Sequence, residues 1–77
     1  MAAIIKTGSL YYQALRSSGG KKRFKWSSDR ASAYAWEMDL VAISAAAQLS
    51  RDNGPMDVID AGDGHLVAHC EDGRRTR

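Results

Sequence analysis

The residues best suited to chemistry lie near the C-terminal end of the sequence: Asp63, His65, His69 and Cys70. Residues four apart share one face of a β-strand, so the two histidines could offer two nitrogen ligands to a zinc ion. A zinc site takes about four ligands, and strand parity directs Cys70 to the opposite face. We therefore predict no metal site, and we interpret both histidines as solvent-facing or hydrogen-bonded to neighbours.

Cys70 is the only cysteine in the 77 residues. An internal disulfide is impossible, and one chain cannot build a thiolate metal cluster. A catalytic thiol would need a base on its own face and an oxyanion site, and the neighbouring sequence supplies neither. We predict a small, buried cysteine.

Glycine-rich phosphate loops and paired catalytic carboxylates are not indicated either. The glycines at 8, 19, 20, 62 and 64 precede no Lys-Ser/Thr pair and do not connect a strand to a helix, so we interpret them as turns. Asp57, Asp60 and Asp63 have no evident acid/base role, because a chain this short buries only about 60% of its unfolded surface. We expect no enzyme activity and no cofactor.

Two charged surface features remain. In the first, cations alternate with aromatic residues, a pattern suited to phosphate contact and base stacking: Lys21, Lys22, Arg23, Phe24, Lys25 and Trp26. The alternative is that the two aromatic residues face the core and the cations only keep a hairpin in solution. The second is an acidic group that could imitate backbone phosphates or simply be solvated: Asp57, Asp60, Asp63, Glu71 and Asp72.

Charge is distributed unevenly along the chain. Residues 1–36 carry seven cations and one acid, residues 37–72 carry one cation and eight acids, and three arginines follow. The net charge of +2 therefore hides a positive first half and a negative second half. These surfaces could attract one another on folding, or could meet nucleic acid and basic or acidic proteins.

The clearest element is a helix predicted over Met38–Asp52. Helical periodicity places one group of residues on a broad side to be covered: Leu40, Ala42, Ile43, Ala46, Ala47 and Leu49. Ser44, Gln48, Arg51 and Asp52 fall on the other side. Asp39 suits the positive end of the helix dipole, and Asn53-Gly54-Pro55 ends the helix.

Strands are predicted on both sides of this helix. Ala2–Leu15 reads as one strand with a bulge or kink at Gly8, and a turn at Gly19-Gly20 leads to a second strand through Phe24 and Trp26. Residues 31–36 fit either an extended segment, which we favour, or an N-terminal extension of the helix.

After the helix we predict a hairpin. Its strands contain residues 56–59 and 66–70, and Gly62-Asp63-Gly64 forms its turn. Asp72-Gly73 predicts another turn, followed by a loose basic end or a short edge strand. We therefore expect a single α+β domain over residues 1–77, with an antiparallel four- to five-stranded sheet, one helix packed across it and ββαββ order. Without a long apolar run or a signal peptide, we expect no membrane contact and a cytoplasmic location.

Three parts of the sequence together carry a resemblance: Ala2-Ala3-Ile4-Ile5-Lys6, the alanine-rich character of the helix, and the closing run Met56-Asp57-Val58-Ile59, Gly64-His65-Leu66-Val67-Ala68 and Glu71-Asp72-Gly73-Arg74-Arg75. These parts resemble small phage-encoded anti-CRISPR proteins that inhibit type I surveillance complexes. The resemblance implies a non-catalytic inhibitor in the host bacterial cytoplasm that binds protein subunits of the ribonucleoprotein and blocks target DNA recognition. Because sequence reading there is delegated to base pairing in a basic channel, a compact protein can block it without catalysis.

If the resemblance holds, the contact lies on the basic hairpin (Lys21, Lys22, Arg23, Lys25) or on the acidic hairpin (Asp57, Asp60, Asp63), with Trp26, Trp36 or Tyr12 as aromatic anchors. Several such inhibitors are acidic proteins that mimic DNA, and the uneven charge of this chain differs from theirs. The alternative function is a small nucleic-acid-binding module that uses the basic hairpin, and a third is a domain that dimerises through a sheet edge. The oligomeric state is left open.

Overall fold

The helix α1 (Asp39–Asn53) packs across a six-stranded antiparallel sheet. The computed structural model describes the backbone of residues 2–18 and 21–77. It also describes their side chains, except those of residues 14–18 and 21–24. The strands are β1 (Ala3–Thr7), β2 (Leu10–Ser18), β3 (Lys21–Ser27), β4 (Met56–Asp60), β5 (Leu66–Glu71) and β6 (Arg74–Arg75), in the spatial order β3-β2-β1-β4-β5-β6. The predicted α+β class is confirmed, with six strands in βββαβββ order instead of the four or five expected.

The additional strands arise at two tight turns. Gly8, with φ +58°, and Ser9 connect the register partners Thr7 and Leu10, so the stretch predicted as one strand is a hairpin of two. Two-residue hairpin loops need positive φ, which glycine adopts without a steric cost. Asp72 and Gly73 both have positive φ, as a type I′ turn requires, and they lead into the short edge strand β6. The predicted turn at Gly19-Gly20 lies outside the described residues.

The core lies between α1 and one face of the sheet. The helix contributes Ala42, Ala46 and Leu49, and the sheet contributes Ala3, Ile5, Met56, Val58, Ala68 and Cys70. Leu40, predicted on the covered side, is 73% exposed. Each residue turns the helix by roughly 100°, so Leu40 lies nearly opposite Ala42. The predicted solvent side is confirmed, since Ser44, Gln48, Arg51 and Asp52 are exposed.

Residues 33–36 are extended and follow a short 3₁₀ helix at Arg30–Ser32, so the extended interpretation is confirmed for residues 33–36 and is wrong for residues 31 and 32. The Asp29 carboxylate begins that helix by accepting from the amide of Ala31. Trp36 pairs with Ala3 through two backbone hydrogen bonds of 2.8 and 2.7 Å, and the amide of Tyr34 donates to the carbonyl of Tyr12. The segment thus lies between β1 and β2, where the register of β2 shifts after Tyr12.

Over the described residues, α1 included, no helix has the length and apolar character needed to cross a membrane.

Ser50 connects α1 to the turn between β5 and β6. It is only 2% exposed, and its hydroxyl donates to the carbonyl of Ala47 at 2.7 Å and accepts from the amide of Gly73 at 3.0 Å.

Substituting Ser50 tests this connection between helix and turn. Ser50→Ala removes the acceptor of the Gly73 amide at a buried position, so we expect a loss of about 1–3 kcal/mol in the free energy of unfolding. Ser44→Ala, on the exposed side of the same helix, is the matched control and should change it by less than about 0.5 kcal/mol. Urea unfolding measures both, and equal effects of the two substitutions would contradict the proposed role of Ser50.

Candidate functional site

The predicted basic feature lies on β3, an edge strand of the sheet. Lys21, Lys22 and Arg23 belong to this strand, and their side chains are outside the described part of the structure. The Lys25 side chain is exposed. Trp26 is half-buried and packs against the core, with its ring edge-on to Tyr12 at a centroid distance of 5.8 Å. The indole therefore contributes to the packing of the fold, and part of it is covered.

Trp26 is one end of a row of four aromatic rings, in which the buried Tyr12 comes next and is followed by Trp36 and Tyr34. Tyr12 lies 6.1 Å from Trp36, and Trp36 lies 4.8 Å from Tyr34, each pair edge-on. Burial raises the pKa of Tyr12, and the neighbouring Tyr34 raises it further. Tyr34, at the outer end of the row, is 51% exposed.

His69 lies between two carboxylates on the sheet face away from α1. It is the register partner of Asp57, whose Oδ1 is 2.5 Å from Nδ1, and Glu71 Oε1 is 2.8 Å from Nε2. An ionised carboxylate only accepts, so both ring nitrogens must carry protons to make these bonds. The hydrogen bond with Asp57, followed by that with Glu71, raises the pKa of His69. Asp57 thus belongs to a charge cluster with one central cation.

Asp60 and Asp63 shape the loop between β4 and β5. Asp60 is 9% exposed, and its Oδ2 accepts from the amides of Gly62 at 2.8 Å and Asp63 at 3.0 Å. Asp63 Oδ1 accepts from the amide of His65 and lies 2.5 Å from its Nδ1. These two interactions lower the pKa of Asp63, and the side-chain bond raises the pKa of His65.

The two histidines do not form one metal site. His65 precedes β5 and bonds to Asp63, while His69 lies within β5 between Asp57 and Glu71. One oxygen or nitrogen each from Asp60, Asp63 and His65 lies within 4.8 Å of the others. Arg30 already brings a positive charge to this loop, because its Nη2 donates to the carbonyls of Asp60 at 3.2 Å and Ala61 at 3.1 Å. We propose no metal here.

Cys70 is buried under α1, as predicted, and its Sγ lies 3.8 Å from the carbonyl of Ile43. Burial raises the pKa of the thiol, which keeps it protonated and poorly nucleophilic. The side chain acts as a small core residue.

The structure adds a surface that the sequence interpretation missed. Tyr34, Met38, Leu40 and Val41, here called the apolar patch, are 51%, 61%, 73% and 47% exposed. They line two adjoining hollows of about 350 and 330 Å³, which are shallow and open to solvent and share Glu37 and Met38. The sequence contained one signal for this surface. Consecutive helix residues point roughly 100° apart, so the apolar residues Leu40, Val41 and Ala42 cannot all face the sheet.

Comparisons with protein-family models, with curated proteins and with solved structures found no match to this chain.

The pKa shift of His69 predicts how stability depends on pH. In the folded protein His69 holds its proton above its ordinary pKa of about 6.5, so the folded state binds more protons than the unfolded state in that range. This contribution is fully present below the ordinary pKa and is lost as the pH rises through the raised one. We therefore expect the free energy of unfolding to fall from mildly acidic to mildly alkaline pH, and His69→Gln to flatten that fall.

Urea unfolding over this pH range measures the effect. His65→Gln is the matched control, since His65 also has a raised pKa but is 56% exposed, where solvent screens its pairing with Asp63. It should leave most of the pH dependence in place. If His69→Gln has the same profile as the unmodified protein, the charge cluster does not contribute.

Proposed function

We propose that this protein acts without catalysis, by binding another protein through the apolar patch. The observation that carries the proposal is the exposure of four large apolar side chains around two adjoining hollows. Contiguous exposed apolar surface is unusual on a protein that functions alone, and it marks contact sites for partners. Tyr34 and Met38 belong to residue types enriched in the cores of protein interfaces.

The described carboxylates favour protein contact over imitation of DNA. Asp57 and Glu71 are both bonded to His69, Asp60 accepts from backbone amides, and Asp63 bonds to His65. A mimic of the DNA backbone would present a row of unpaired negative charges. Here most members of the acidic group already serve internal bonds.

The partner to test first is a type I CRISPR surveillance complex. The support for this choice is the resemblance of the opening strand and of the last twenty or so residues to inhibitors of such complexes. In this form of the proposal the protein occupies the ribonucleoprotein and prevents the guide from pairing with target DNA. No catalytic group is required, because occupancy of a protein subunit is sufficient.

A pull-down of purified type I complexes with the tagged protein tests this proposal. We expect the complex to be captured, and we expect this capture to be lost when the complex is preloaded with target DNA. Leu40→Gln removes the most exposed residue of the apolar patch and should weaken capture at least about tenfold. Leu10→Thr removes another exposed apolar side chain, outside the patch, and should bind normally. Equal capture by both variants would refute the role of the patch, and no capture by any complex would refute the named partner.

A second candidate function is nucleic-acid binding along β3. It is favoured by the position of β3 at the sheet edge, with four cations in its sequence and an exposed Lys25. Phosphate contacts predict affinity for DNA that falls linearly, on logarithmic scales, as salt rises. Reversing the charges of Lys21, Lys22 and Arg23 should abolish that affinity while circular dichroism stays unchanged. Retained DNA affinity in this variant would rule the candidate out.

A further inference from the structure

Two of the residues beside the apolar patch, Glu37 and Asp39, are acidic. Glu37 lines both hollows, and Asp39 lines the one that contains Leu40. Within the described part of the chain, neither carboxylate forms an ion pair or a side-chain hydrogen bond, and no cation lines either hollow. Asp57, Asp63 and Glu71 differ from them, because each of these three is paired with a histidine.

We propose that the apolar patch binds a protein segment in which a large aliphatic or aromatic side chain stands beside lysine or arginine. The hollows would take the apolar side chain, and the cation would lie against Glu37 and Asp39. This inference rests on the proposed protein-binding function and adds the chemistry of the partner.

Charge complementarity selects this occupant over the alternatives. An acidic segment would bring like charges together at a site without a lining cation, which disfavours binding. A purely apolar segment would leave the two carboxylates partly desolvated and unpaired, at a cost in affinity. Lysine and arginine supply both the missing charge and a long apolar stem that can cover the rim of a hollow.

Selection from a displayed library of random short peptides tests the chemistry without a known partner. We expect the enriched peptides to combine leucine, phenylalanine or tryptophan with an excess of lysine and arginine. With Glu37→Lys as the target, that excess should disappear or reverse in sign. Asp52→Lys makes the same charge change at the far, exposed end of α1 and should select the same peptides as the unmodified protein.

Tryptophan fluorescence locates the binding. Trp36 lines one hollow, and Trp26→Phe leaves it as the single tryptophan of the chain. An enriched peptide should shift the Trp36 emission and should bind Leu40→Gln at least about tenfold more weakly. Circular dichroism shows whether each variant is folded, and Leu10→Thr serves again as the control for loss of exposed apolar surface.

Three results would overturn the inference. The first is enrichment of peptides with no excess of cations, and the second is enrichment that Glu37→Lys leaves unchanged. The third is self-association of the protein, seen by sedimentation and lost in Leu40→Gln, because a second copy would then occupy the patch. These experiments and the pull-down can fail independently. If basic apolar peptides bind but no type I complex does, the named partner is rejected and the inference stands. If a complex binds but such peptides are not enriched, only the proposed chemistry of the partner is rejected.

Discussion

The structure depends on close packing between the small-residue side of α1 and one face of the sheet. Ala42 and Ala46 are completely buried there, and their short side chains let the helix backbone approach the strands. The distance of 3.8 Å between the Cys70 thiol and the Ile43 carbonyl shows how near that approach is. A helix of this length is marginal in isolation, so contact with β4 and β5 is what maintains it.

One helix can cover only one face of the sheet, and the other face is completed by different means. Ile4 and Ile59 are register partners that alternate with the helix-facing residues, and both are buried. Ile4 borders a hollow formed with the segment at 30–35. Farther along the same face the sheet is polar. His69 of β5 bonds to Asp57 of β4 across the two strands, and its other ring nitrogen bonds to Glu71 of its own strand.

The same constraint leaves apolar side chains at the start of the helix without cover. The sheet-facing stripe is narrow, with Ala42, Ala46, Leu49 and Ser50 as its buried members. Leu40 and Val41 are therefore exposed, as are Tyr34 and Met38. Glu37 and Asp39 line the same hollows, and within the described residues neither forms an ion pair. Exposed apolar groups in this arrangement contribute nothing to the core described here, and a partner that covers them would gain affinity from their burial.

Local signals in the sequence determined much of the framework. The helix was predicted to within one residue at each end, because the charged residue that suits its start and the residues that end it are neighbours in the chain. The turn at Asp72-Gly73 and the strands on either side of residues 61–65 were predicted for the same reason. At Gly8-Ser9 the local signal was ambiguous, since one glycine within an apolar stretch fits a bulge as well as a two-residue turn.

The candidate site was decided by tertiary structure. Composition alone did not indicate that His69 would meet Asp57, twelve positions away, because only the register of β4 against β5 brings them together. The rotation of α1 on the sheet, a property of its packing, placed Leu40 in solvent and buried Ser50. The sequence by itself therefore determined the elements and their turns, which depend on neighbouring residues. Packing between distant segments decided which charges are paired and which apolar side chains remain exposed.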